Sequence, residues 1–174
     1  KVYDVVYVGR LSYQKNPERL VSVLERIVKE KSDVSVGVVG DGDLAEKIAQ
    51  MIRNKELIKN VDLLGFIANP LPIVKNARAF IMTSRWEGTP MSVLESLALG
   101  TPVVCTPVDG LQDIIKSGIK RVLSDNDDVL ASSVVKLIKD KDFYNRLSIG
   151  SIEFSREYNS VENYRNLLGK IYKL

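Results

Sequence analysis

The stretch RWEGTPMSVLES, residues 85–96, holds two glutamates eight positions apart, Glu87 and Glu95, around Gly88, Thr89, Pro90, Met91 and Ser92. Carboxylates so placed could be an acid/base couple, two walls of a ligand cradle, or charges on an ordinary loop leading into a helix. Pro90 suits a helix start, so a helix is expected from about Met91. The amides of Gly88, Thr89, Met91 and Ser92 then gather at a helix N-terminus, a ready anion site. Glu95 would sit one turn in, and a turn rises about 5.4 Å, so the two carboxylates would flank a ligand rather than touch. Glu95 also stands between SVL and SLALG, and a carboxylate in apolar surroundings needs a partner.

A second group of candidates lies in GRLSYQKN, residues 9–16. Gly9 permits a sharp turn or a close approach to a ligand. Arg10 and Lys15 could clamp a pyrophosphate, Arg10 by its planar fork and Lys15 as a point charge. Taken alone, they read equally well as solvated surface cations. GDGDLA, residues 40–45, matches the dinucleotide pattern G-x-G-x-x-A. Yet Asp41 and Asp43 would repel a pyrophosphate, and a glycine turn with Asp43 capping the next helix is the stronger reading. Asp125 and Asp127 form a D-x-D triplet that could hold a divalent cation, but they fall where a helix should begin, and a capping turn is favoured. The sequence contains no histidine, which removes histidine triads, histidine metal sites and a histidine general base. Its single cysteine, Cys105 in the apolar run TPVVCTP, fits a buried, inert thiol and a reducing compartment.

These residues need a frame. Short apolar runs at 4–9, 33–40, 61–66, 78–84, 102–106 and 121–124 read as strands. Between them lie helical patterns, the first N-capped by Asn16 with Pro17 at its start, another ending at Gly100. A short helix is expected over GLQDIIKSG, and from Asp127 onward the chain reads as two or three helical segments, including a C-terminal one over 150–174. The alternation predicts an α/β fold: a Rossmann-like three-layer sandwich around a mostly parallel six-stranded sheet. In such sheets ligands bind beyond the carboxyl ends of the strands, near the switch in strand order. The loops to watch are therefore Gly9–Lys15, Gly40–Asp43, Gly65–Pro70, Ser84–Pro90 and Thr106–Gly110. The 174 residues suit one domain, read as 1–174, and 45% hydrophobic with 27% charged residues suits a soluble globular protein. A net charge of +3, with no basic run carrying interleaved aromatics, argues against nucleic acid as partner. No apolar run is long enough for a membrane span, and no signal peptide is expected within these residues. The start at Lys1, entering an apolar run directly, reads as a domain excised from something longer.

Together, VGRLSYQKN, GDGDL, LLGF, MTSRWEGTPMSVLESLALGTPVV and the Asp109–Gly110 pair resemble the C-terminal, donor-binding half of group-1 retaining glycosyltransferases of the GT-B fold. The order of the pieces is the family's, and E-x(7)-E followed by L-A-x-G-x-P-V-V is the most specific. The resemblance implies that Arg10 and Lys15 grip the donor diphosphate and that Glu87 meets hydroxyls of the transferred sugar; these three are the candidate catalytic residues. It implies that Gly9 and the Gly88, Thr89, Pro90 and Met91 backbone, with Ser92 and Leu94, line the pocket. Glu95 would bind the ribose, and Gly65, Phe66 and Ile67 would lie against the base. The substrate would be a UDP-sugar or GDP-sugar, with no metal and no cofactor. A carbohydrate or lipid-linked acceptor would sit on an N-terminal domain absent from this chain, and that domain would carry the histidine missing here.

The sequence departs from the commonest family pattern at three places. EGTP replaces Glu-Gly-Phe-Gly, which removes one amide and stiffens the cradle. Asp113 stands where a glutamate is usual, and Lys120–Arg121 replaces an Asn-Gly turn. The style resembles bacterial polysaccharide-assembly enzymes, which implies a cytoplasmic place, with peripheral attachment to the inner face of the membrane open to the full protein. The competing readings are a non-catalytic Rossmann-like nucleotide-binding module built on Gly40–Gly42, and a GT-B sugar-nucleotide epimerase or phosphorylase.

Overall fold

The computed structural model describes residues 1–111 and 122–158. Asp113, Lys120, Arg121, nearly all of the helix expected over GLQDIIKSG, and the last sixteen positions of the expected C-terminal segment lie outside them. The strands are β1 (Val5–Val8), β2 (Val36–Val39), β3 (Val61–Gly65), β4 (Ala79–Met82), β5 (Val103–Cys105) and β6 (Val122–Leu123). They form one sheet in the order β3-β2-β1-β4-β5-β6, and every pairing is parallel. The helices are α1 (Pro17–Glu30), α2 (Ala45–Asn54), α3 (Leu71–Lys75), α4 (Met91–Ala98), α5 (Asp127–Lys139) and α6 (Lys141–Tyr158), with a 3-10 turn at Asp109–Leu111. The six-stranded Rossmann-like sandwich read from the sequence is present, with a wholly parallel sheet.

Alternate strand residues feed two cores, as the two-residue period of a strand requires. Val5, Tyr7, Val36, Val38, Ala79, Ile81 and Val104 pack on one face with Leu20, Leu24 and Ile27 of α1, Ile48 and Ile52 of α2, and Leu130 and Val134 of α5. Val6, Val39, Phe80, Met82, Val103 and Cys105 pack on the other with Val74 of α3, Val93 and Leu97 of α4, and Phe154 of α6. Helix α6 serves both layers: Phe143, Tyr144 and Leu147 lie on the first, Phe154 in the second. It passes residue 150 without a break, and with α5 it makes the two helical segments the pattern from Asp127 onward suggested. Cys105 is buried in β5, as its apolar neighbours suggested.

Two expected caps are arranged differently, while the third, a capping turn over residues 124–128, is present. Asn16 makes no side-chain cap to α1; it sits at φ 52°, the left-handed region that Asn tolerates, and its Oδ1 accepts from Arg85 Nη2 at 3.0 Å. Asp43 is exposed and does not cap α2, whose first turn follows Leu44. In the third turn the cap is Asn126, accepting from Asp128 N at 2.8 Å and Val129 N at 3.2 Å. The flanking Asp127 instead pairs with Arg19 Nε at 2.8 Å and Asp125 with Arg19 Nη1 at 3.5 Å, which fastens α1 to the start of α5.

The GDG turn has a packing task. Gly40 lies at φ 139°, and a Cβ there would stand 1.9 Å from Gly9 O; one at Gly42 would stand 2.5 Å from Leu11 O. Leu11 N donates to Asp41 O at 2.9 Å and Leu44 N to Leu11 O at 2.9 Å, so this turn buttresses the loop after β1. Gly40→Ala is expected to cost about 3 kcal/mol, or roughly 6–12 °C in melting temperature, through backbone overlap and a disfavoured φ. A thermal denaturation curve reads it directly, and an unchanged midpoint would show that the two loops separate freely.

Candidate functional site

Strand order reverses between β1 and β4, which are direct neighbours. The loops leaving these two strands carry the two candidate groups, so the topology brings Arg10 and Lys15 to Glu87 and Glu95. The loops are stapled together. Arg85 N donates to Gln14 O at 2.8 Å, Gln14 Nε2 to Trp86 O at 3.1 Å, Arg85 Nε to Tyr13 O at 3.1 Å and Thr83 Oγ1 to Asn16 O at 3.1 Å. Arg85 also covers the Tyr13 ring at 4.3 Å, and Tyr13 meets Trp86 at 5.8 Å between ring centroids. Behind them, Gly110 N donates to Glu87 O at 3.1 Å, and a Cβ at Gly110 would stand 1.8 Å from Gly88 O. Only glycine fits that approach, which gives the Asp109–Gly110 pair its place under the Glu87 loop.

Two adjoining cavities open there, both lined by Val8, Gly9 and Arg10. The larger, about 580 Å³, adds Ser12, Gln14, Lys15, Thr89, Met91, Ser92 and Glu95. The smaller, about 310 Å³, adds Val39, Gly40, Asp41, Phe66 and Ile67. Both volumes fall in the usual range of small-molecule sites, about 300–1,000 Å³. Phe66 is 80% exposed at the mouth of the smaller one, an apolar ring held out in solvent where a flat ligand could stack.

Charges at the larger cavity are of two kinds, and Glu87 itself lines neither cavity. Arg10 is exposed, and its guanidinium has no side-chain partner among the described residues. Glu95 is likewise exposed and has no side-chain partner among the described residues. The reason given for Glu95 from the sequence fails, because its apolar neighbours Val93 and Leu97 turn inward and leave it facing the cavity. Lys15 and Glu87, by contrast, are joined: Lys15 Nζ lies 2.7 Å from Glu87 Oε1, with side chains 24% and 5% exposed. Ser84 Oγ donates to the same oxygen at 2.6 Å. Burial raises the Tyr7 hydroxyl above its ordinary range, and the charge of nearby Glu87 adds to this. Tyr7 therefore stays a neutral donor, to Arg10 O at 3.2 Å.

The amide cluster is smaller than expected. Met91 N is already taken by Thr89 O at 2.9 Å, and Val93 N by Pro90 O at 2.9 Å. That leaves Gly88, Thr89 and Ser92 without backbone acceptors among the described residues. Leu94 does not line the cavity; one position from Glu95 is about 100° around a helix, and it packs on the second core. Gly65, Gly88 and Pro90 line neither cavity; Gly65 O accepts from Gly40 N at 2.8 Å and Pro90 O from Val93 N at 2.9 Å. Ser12, Gln14 and Val8 line the cavity unanticipated, although Ser12 and Gln14 belong to the very loop singled out for Arg10 and Lys15. Among the described residues, no group of three or more His, Cys, Asp or Glu could hold a metal ion, and no helix is long and apolar enough to cross a membrane.

The sheet and its two covered faces define a Rossmann-like α/β domain with a cavity at the switch in strand order. Residues 1–153 match the glycosyl transferases group 1 family, and the chain belongs to that family. It is 28% identical over 178 residues to the poly(glycerol-phosphate) alpha-glucosyltransferase of Bacillus subtilis, covering 99% of this chain and 26% of the relative. It is 29% identical over 177 residues to an uncharacterised glycosyltransferase of Methanocaldococcus jannaschii, covering 83% of this chain and 44% of that protein. The chain thus spans less than half the length of either curated relative. In structure it is similar to a mutant of S. aureus TarM in complex with fondaparinux, alpha-GlcNAc-glycerol and UDP. That likeness has a TM-score of 0.86 at 26% identity, over 92% of this chain and 34% of the TarM chain.

Proposed function

We propose that this chain is the donor-binding half of a retaining glycosyltransferase that takes a hexose-type sugar from a UDP-sugar or GDP-sugar. The observation that carries this reading is the larger cavity: two cations, an unpartnered carboxylate and free amides converge on it, and it adjoins a second cavity edged by Phe66. Each part fits one part of such a donor. Arg10 and Lys15 suit the diphosphate, with the Gly88, Thr89 and Ser92 amides beside them. Glu95 suits a ribose diol, Glu87 the sugar hydroxyls, and Phe66 with Ile67 the base. The cations and amides would stabilise charge growing on the departing diphosphate without a metal. The solved TarM structure, which holds UDP, supports the nucleotide part of the reading.

The acceptor, a carbohydrate or lipid-linked chain, would then bind on a separate N-terminal domain. The whole enzyme would work in the cytoplasm, with peripheral attachment to the inner membrane face where the acceptor is lipid-linked. Alone, this half of the cleft binds donor and transfers nothing, because the reacting groups are not held together. Titrating the folded chain with UDP and with GDP tests the proposal. Saturable binding of one of them is expected, and no binding of either up to about 1 mM, the level of a weak specific contact of roughly −4 kcal/mol, would sink it.

A further inference from the structure

Ser84 stands one residue past the last strand residue's neighbour, Thr83, and is 2% exposed. Its hydroxyl donates to Glu87 Oε1 at 2.6 Å, and its own carbonyl accepts from Thr106 Oγ1 at 2.8 Å. Thr106 N in turn donates to Met82 O at 3.1 Å, so Ser84 is fastened to the end of the sheet from behind. Lys15 Nζ reaches the same Glu87 oxygen at 2.7 Å, but from the wall of the larger cavity. The two donors differ in kind. A serine hydroxyl on an anchored backbone has one side-chain torsion and loses little freedom by staying. A lysine ammonium rides on a four-carbon stem and can turn to another anion.

We infer that Ser84 is a positioning residue: it fixes the Glu87 carboxylate through Oε1 so that Lys15 can turn to a diphosphate while Glu87 stays aimed at the sugar. The inference rests on the donor-binding reading of Lys15 and Glu87. With Ser84 in place, release of Lys15 leaves a nine-tenths buried carboxylate still hydrogen-bonded. Without it, Glu87 depends on Lys15 alone among the described side chains, and the sugar contact and the phosphate contact compete for one cation.

Binding of UDP and UDP-glucose, and of GDP and GDP-mannose, by calorimetry to the wild type, Ser84→Ala, Glu87→Ala and the double variant tests it. Ser84→Ala is expected to weaken the sugar-bearing donor by roughly fivefold to tenfold while changing the free diphosphate about twofold or less. In the Glu87→Ala background the serine change should add nothing, since both act through one carboxylate. Equal losses for both ligands, or fully additive losses, would overturn the inference. A ligand-free readout accompanies these: thermal denaturation of the same four proteins, in which the losses of Ser84→Ala and Glu87→Ala should be non-additive because the hydroxyl and the carboxylate hold each other. Fully additive losses overturn the hold of Ser84 on Glu87. Absence of any nucleotide binding by the wild type overturns the donor reading instead, and the denaturation cycle then decides the Ser84–Glu87 link by itself.

Discussion

Glu95→Ala is expected to weaken binding of the free nucleoside diphosphate by roughly tenfold or more, whereas Glu87→Ala leaves that ligand within about twofold and impairs only the sugar-bearing donor. The division follows from where the two side chains stand. Glu95 faces the larger cavity with no side-chain partner among the described residues, so a ligand diol would exchange water for two charge-assisted hydrogen bonds to its carboxylate. A contact of that kind is worth about 1.5–3 kcal/mol, and each 1.4 kcal/mol is a factor of ten. Glu87 is already committed to Lys15 and Ser84 and lies behind the cavity wall. Its truncation leaves the ribose and base contacts untouched and removes only what a sugar would add. Calorimetric titration of both variants with diphosphate and with sugar donor reads the split. Equal losses for both ligands in both variants would show that the two glutamates do not address different ends of one molecule.

Much of this site was legible in the sequence, for reasons that can be named. Continuous apolar runs such as DVVYVG and RAFIMTS report strands covered on both faces, and their alternation with helical patterns dictates a parallel sheet. Once the sheet is parallel, chemistry gathers at strand ends, and the charged and small residues of 9–15 and 84–95 lie there. The sequence could not give the strand order, because that depends on which faces pack in three dimensions. The order β3-β2-β1-β4 is what makes the two candidate loops neighbours.

Where the local reading failed, a tertiary partner had taken the group. Asn16 looked like a cap, but Arg85, far along the chain, takes its side chain. The Met91 amide looked free, but the turn at Thr89 closes on it. The Gly40–Gly42 pair matches a dinucleotide pattern, but the glycine turn favoured from the sequence is what forms, its open backbone filled by Gly9 and Leu11 of this same chain. The link between Lys15 and Glu87 was invisible because 72 positions separate them.

That link makes Lys15→Ala the substitution with the largest expected effect, because it acts on folding and on binding at once. Removing the ammonium takes one cation from the cavity and leaves Glu87, 5% exposed, with Ser84 as its remaining side-chain donor among the described residues. Breaking a buried pair by deleting one member costs about 3–5 kcal/mol; with Lys15 partly exposed, about 2 kcal/mol is expected, or roughly 4–8 °C in melting temperature. Nucleoside diphosphate binding should fall by roughly tenfold or more in the same variant. Two companions separate the effects. Arg10→Ala removes a cation that no carboxylate among the described residues engages, so binding should fall at an unchanged melting temperature. Lys15→Ala combined with Glu87→Gln should recover most of the melting temperature, since a neutral amide still accepts from Ser84 and no longer needs a counter-charge, yet leave diphosphate binding weak. If the combined variant instead regains diphosphate affinity, Lys15 serves only to neutralise Glu87, and the diphosphate is held by Arg10 and the amides of the α4 start.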